Sequence, residues 1–165
     1  MYLKVKSTAR SKKLIRLVIF ILLFAWCTGF STASLFPKSD TALVLHPLLK
    51  HAYGLVCHQI PFKTFYVSGH HFLVCARCSG IYFGALIISL LSLFFLPKMN
   101  FGLKFLYSAM FPMAADVIFT STGIYAYSKP IAFATGIFFG SVVFVYILAV
   151  LENNLLDKKL KNNES

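Results

Sequence analysis

The sequence predicts an all-α integral membrane protein with four transmembrane helices and both termini cytoplasmic. Three observations predict it. The chain is 58% hydrophobic and 13% charged, whereas soluble domains are about 45–50% apolar with roughly 25% charge. Its apolar residues gather into runs long enough for a bilayer, which takes about 20 residues of helix. Its 16 Lys and Arg, against 5 Asp and Glu, give a net charge of +11, and they fall mostly on one side of those runs.

The elements follow in order. Residues 1–13 form a basic cytoplasmic arm. A four-helix membrane domain occupies residues 14–151, with spans at about 14–36, 75–96, 105–125 and 131–151. The second span is apolar from Ser79 to Leu96 and extends back to Cys75. The third contains Asp116, and the fourth runs uncharged from Ile131 to Leu151. Pro97 and Asn100 separate spans two and three. Ser128-Lys129-Pro130 separates three and four, because proline disfavours helix in the residue before it. Residues 152–165 form a polar cytoplasmic tail.

Basic residues set the orientation. Lys4, Lys6, Arg10, Lys12, Lys13, Arg16, Lys98, Lys104, Lys158, Lys159 and Lys161 lie on one side. Lys38, Lys50, Lys63, Arg77 and Lys129 lie on the other. The richer side is cytoplasmic, which places the chain in the plasma (inner) membrane as a multi-pass protein. The partner this implies is the lipid bilayer, with some affinity for anionic lipid; nucleic acid is not expected. A secretory signal is the competing reading of span one, with an apolar core from Leu17 to Trp26 before Ser31-Thr32-Ala33. The length of the run favours an uncleaved helix, in which Cys27 is an apolar filler.

The outer loop, residues 37–74, opens with a polar turn from Pro37 to Asp40. Asp40 or Thr41 can cap an amphipathic helix over about 42–56, with Pro47 in its early turns. Pro61 ends any helix. Phe62 to Val67 is aromatic and β-prone, and Gly69 permits a turn before His70-His71.

Cys78-Ser79-Gly80-Ile81-Tyr82-Phe83-Gly84-Ala85-Leu86 echoes Ala134-Thr135-Gly136-Ile137-Phe138-Phe139-Gly140-Ser141-Val142 at an offset of 56 residues. This suggests two parallel helical-hairpin repeats; chance likeness between apolar segments is the alternative. Gly80 with Gly84, and Gly136 with Gly140, make small-residue faces on which helices approach closely in lipid. Those faces can meet within one chain or between two copies in a homo-oligomer.

The chemistry gathers in the outer connection. Cys57, His58, Cys75 and Cys78 form a Cys₃His set suited to a tetrahedral zinc-like ion, with Cys75-Ala76-Arg77-Cys78 supplying the usual spacing for two thiolates. His70 or His71 could replace His58. Two other readings stand beside it. A Cys-x-x-Cys at a helix N-terminus has a lowered thiol pKa and suits disulfide exchange. A plain disulfide from Cys57 would be a staple. Asp116 is costly within a span, about 2.5–3.5 kcal/mol on insertion scales, so it calls for a partner. Arg77 is the candidate for an intramembrane charge pair, and proton or cation transport is the alternative use.

Cys57-His58-Gln59, Pro61, Phe65, Gly69 and Cys75 through Gly84, continuing through Asp116, Gly123, Ser128, Thr135-Gly136 and Gly140, resemble an uncharacterised bacterial and archaeal membrane-protein family, domain of unknown function 2085. The resemblance covers about residues 50–142. It implies a multi-span membrane protein and no particular activity. The family often has an arginine where this chain has Ala132. Without a phosphate loop, Ser-His-Asp set or zincin motif, soluble enzyme classes lack support. The sequence therefore points to a membrane protein with an extracytoplasmic Cys/His site, metal-binding or structural. A membrane thiol-disulfide oxidoreductase and a small transporter using Asp116 are the alternatives.

Overall fold

The computed structural model describes residues 2–35, 40–94 and 103–161. In order these form α1 (Tyr2–Leu35), α2 (Asp40–Gly54), a 3-10 turn (Pro61–Lys63), β1 (Thr64–Val67), β2 (His70–Cys75), α3 (Ala76–Phe94), α4 (Leu103–Ser121) and α5 (Lys129–Lys161). The turn expected after Phe36 and the break expected at Pro97 to Asn100 lie outside the described residues.

Among the described residues, three helices are long and apolar enough to cross a membrane: Lys12–Thr32 in α1, Ala76–Phe94 in α3 and Lys129–Leu151 in α5. The count of four spans is not matched, because α4 is not among them. Lys104, Pro112 and Asp116 dilute its 19 residues. The outward faces are apolar nonetheless: Leu22 is 65% exposed on α1, Phe94 75% on α3 and Phe111 77% on α4. Apolar exposure on this scale suits lipid and not water.

The α3/α5 contact is the spine of the fold. Gly80 lies against the main chain of Phe133 and Ile137, and Gly84 against Ile137 and Ser141. Reciprocally, Gly136 meets Arg77, Gly80 and Ile81, and Gly140 meets Ile81. Numbers rise together along both helices, so the two are parallel, and Gly80 faces its sequence echo Gly136. A Cβ on any of the four would collide with backbone of the partner helix. With lipid on both sides there is no hydrophobic drive between helices, so this closeness is what supplies attraction. The Ser141 hydroxyl adds a hydrogen bond to the Gly84 carbonyl at 3.3 Å. These small-residue faces are thus occupied within one copy of the chain.

An antiparallel helix flanks each spine helix. The α1 helix packs along α3: Arg16 reaches Ser92 near the end of α3, while Trp26 and Phe30 stack on Tyr82. Arg16 is buried, and its Nη1 donates to the Ser92 carbonyl at 2.6 Å, in the last turn of α3 where carbonyls lack helical partners. The α4 helix returns toward the start of α3. It closes at Ser121 on Gly123, whose φ of +76° suits glycine, with Ile124 N–H donating back to the Phe119 carbonyl at 3.0 Å. Pro130 in the first turn of α5 starts the next helix without losing a needed donor.

The outer connection caps this assembly. The α2 helix begins two residues earlier than the sequence suggests, so Pro47 lies mid-helix and not in the early turns. Tyr53 anchors it: its hydroxyl donates to the Trp26 carbonyl at 2.8 Å, fitting where Gly29 leaves no side chain. The β-prone stretch forms a hairpin on Ser68-Gly69, both at positive φ (+54° and +85°), as a two-residue primed turn requires. The Ser34 hydroxyl ties β2 to α1 through the His70 carbonyl at 3.3 Å.

Candidate metal centre

Three local features bring the sulfurs together. The α2 helix ends with Cys57 N–H donating to the Tyr53 carbonyl at 2.9 Å. The chain then reverses at Gln59, which sits at φ +50° and is held by its Nε2 donating to the Lys50 carbonyl at 2.8 Å. The hairpin supplies the return, with Thr64 opposite Cys75 in its register. Cys75 is therefore the last residue of β2, and Cys78 lies in the first turn of α3.

The sulfur atoms of Cys57, Cys75 and Cys78 lie within 4.8 Å of one another, and all three are free thiols. Cys57 is buried, while Cys75 and Cys78 are half-buried. The site rests on a core of Cys27, Phe30, Tyr53, Leu73 and Val74, with Trp26 and Tyr82 packed against it. The Cys75 N–H donates to the Cys57 sulfur at 3.2 Å. The Cys57 thiol is pulled down from its ordinary range, first by hydrogen bonding from Cys75, then from Cys78, with help from the Gln59 and Cys75 backbone N–H groups and against the cost of burial. A site that favours thiolate before any ion arrives suits a cation bound through sulfur.

His58 is exposed and stands outside this group. Cys57 turns inward where the helix has ended, and the next side chain in non-helical backbone faces the other way. His70 and His71 are also exposed on the hairpin. The Thr64 hydroxyl donates to the Pro61 carbonyl at 2.8 Å, so it accepts from His71 Nδ1, also at 2.8 Å. Among the described residues, the group close enough to share an ion is the three sulfurs.

Arg77, between the two helix-end cysteines, points the other way. Its Nη2 pairs with Asp116 Oδ2, and the Tyr125 hydroxyl donates to Asp116 Oδ1. The Asp116 side chain is 3% exposed and that of Arg77 18%, so the pair is desolvated and both carboxylate oxygens are engaged. Beside it Arg77 Cζ lies 5.9 Å from the Tyr127 ring centroid, and Lys63 Nζ lies 5.5 Å from the same ring. The two tyrosines carry no spacing signal in the sequence.

Apolar helices packed through glycine, a desolvated ion pair and a rim of thiols define a helical protein of the lipid bilayer. The chain belongs to the predicted membrane protein family DUF2085, whose profile matches residues 57–146. That match includes the three cysteines, Arg77, Asp116 and both glycine pairs. An uncharacterized protein of Methanocaldococcus jannaschii is 35% identical over 112 residues, covering 66% of this chain and 71% of its own. An uncharacterized protein of Methanothermobacter thermautotrophicus is 57% identical over 30 residues, 18% of this chain and 27% of its own. No solved structure matches the chain.

Proposed function

We propose that this protein is a multi-pass metal-binding protein of the plasma membrane, holding one zinc-like ion on Cys57, Cys75 and Cys78 at the extracytoplasmic rim. The single observation that carries the reading is the triangle of sulfurs within 4.8 Å, with N–H donors already aimed at Cys57. Thiolates select soft or borderline cations such as zinc or copper(I). The ion would tie α2, the hairpin and α3 together, since each supplies or flanks one ligand. Both termini are cytoplasmic in this reading, and α4 is the fourth span. Its intramembrane carboxylate is neutralised by Arg77 and hydrogen-bonded by Tyr125, which offsets the cost that keeps α4 from qualifying on hydropathy alone. The same closure weighs against Asp116 as a transport site.

The test is metal analysis of protein purified anaerobically in detergent. About one equivalent is expected in the wild type, and loss in each of Cys57→Ser, Cys75→Ser and Cys78→Ser. A second reading, thiol–disulfide exchange, is favoured by the same closeness of free thiols, since a small movement would bring a pair to the bonding distance of about 2.05 Å. Metal-free protein that cycles between dithiol and disulfide would replace the first reading with the second.

A further inference from the structure

The α2 helix uses only one of its faces to pack. Leu49 and Tyr53 turn inward, half-buried and buried. Val44, Leu48 and Leu55, at i, i+4 and i+11, share another face and are 79%, 68% and 79% exposed. A bare apolar stripe is unfavourable in water and marks a surface that something covers. The depth of α2 says what that is. The Tyr53 hydroxyl donates to the Trp26 carbonyl and lies over Gly29. The apolar span of α1 runs to Thr32. Trp26 is six residues inside that end, about 9 Å at about 1.5 Å per residue. Leu22 and Gly29 are seven residues apart, so they share one face of α1. Leu22 is exposed on that face, whereas Gly29 lies under Tyr53. Thus α2 covers the outer part of a face that α1 otherwise turns outward, and the stripe on α2 takes its place.

We infer that α2 is an interfacial helix whose partner is lipid: Val44, Leu48 and Leu55 sit among the acyl chains of the leaflet beside the hairpin. Helices of this kind lie about 5–10 Å into the boundary between headgroups and chains, the depth at which Tyr53 is anchored. Lys50 is two residues from Leu48, about 200° around the helix, and is exposed on the other side, where an ammonium group reaches the headgroups. After Asp40 the helix carries no acidic residue, so no negative charge opposes lipid phosphate. The placement needs no bound ion and holds for either orientation of the chain. Cys57 follows Tyr53 by one turn, its N–H on the Tyr53 carbonyl, so the helix that meets lipid also carries the first sulfur.

The test is tryptophan fluorescence of the full chain in phosphatidylcholine vesicles. One quencher is the same lipid brominated in its acyl chains, and the other is iodide on both sides of the membrane. Leu48→Trp, Leu55→Trp, Lys50→Trp and Leu22→Trp are made singly, and the emission of Trp26 in the unaltered protein is subtracted. Leu22→Trp is the reference for lipid contact on α1. Leu48→Trp and Leu55→Trp are expected to lose emission to brominated lipid and to be shielded from iodide. Lys50→Trp is expected to show the reverse. Iodide quenching of Leu48→Trp and Leu55→Trp as strong as that of Lys50→Trp means that the stripe faces water, and overturns the inference. Resistance of both to both quenchers means that protein covers the stripe, and overturns lipid as the occupant; cross-linking would then reveal a second copy. Leu22→Trp that ignores brominated lipid would instead refute the membrane placement of α1, on which this inference rests.

Discussion

Gly140→Ala is the sharpest test of the spine. The new Cβ would lie 2.6 Å from Ile81 Cα and 2.8 Å from the Ile81 carbonyl carbon, with the carbonyl oxygen closer still. These are main-chain atoms of a helix and cannot rotate away. Restoring even the tight end of ordinary contact, 3.4 Å, means parting α3 and α5 locally by at least 0.8 Å, the difference from 2.6 Å at Ile81 Cα, and by more to clear the carbonyl oxygen. A gap of that order forfeits roughly a quarter to a half of each dispersion contact it opens. Overpacking of this kind costs about 1–3 kcal/mol. In lipid no hydrophobic term compensates, because the separated faces meet acyl chains as apolar as themselves. The assay is unfolding by denaturing detergent followed by fluorescence of Trp26, the single tryptophan. Its ring lies 4.6 Å from Tyr53 and 5.9 Å from Tyr82, so it reports on α1, α2 and α3 together. Gly54→Ala is the control, since its Cβ would meet only Gln59 Nε2 at 4.0 Å. A Gly140→Ala midpoint equal to wild type would refute the close-contact argument and the parallel packing with it.

Two further outcomes are expected. Asp116→Leu leaves Arg77 desolvated without its anion and Tyr125 without its acceptor. Unfolding free energy should fall by about 3 kcal/mol or more, and Arg77→Met with Asp116→Leu should recover most of it, because a desolvated pair is costly to break and cheap to replace whole; additive losses in the double variant would sink that reasoning. The lowered Cys57 thiol fixes a pH dependence. Its folded pKa lies below the unfolded value, so its contribution to stability is complete above the ordinary thiol range and is lost as pH falls through the lowered value. Metal-free, reduced protein should therefore show thiolate absorbance near neutrality that disappears in Cys57→Ser; a step seen only in the ordinary thiol range would contradict it.

Sequence alone determined the features that depend on local composition. Runs of apolar residues mark α1, α3 and α5 as helices long and apolar enough to cross a membrane, because a spanning segment must satisfy its own backbone within the hydrocarbon. The offset of 56 residues between two Gly-containing stretches singled out the four glycines that the folded chain brings into one contact. Cysteine spacing marked the chemical end of the molecule, and a lone carboxylate in an apolar helix called for a cation. Tertiary structure decided what depends on direction and distance. Adjacent letters Cys57 and His58 face opposite ways once α2 ends, so four candidate ligands on paper are three neighbouring sulfurs in space. Tyr125 and Tyr127 have no motif; they matter because a tight turn after α4 carries one to Asp116 and the other beside Arg77. Arg16, counted in the sequence as a topology charge, turns out to cap the last turn of α3. Such pairings arise between residues far apart in the chain, where only packing selects one partner from many of the same type.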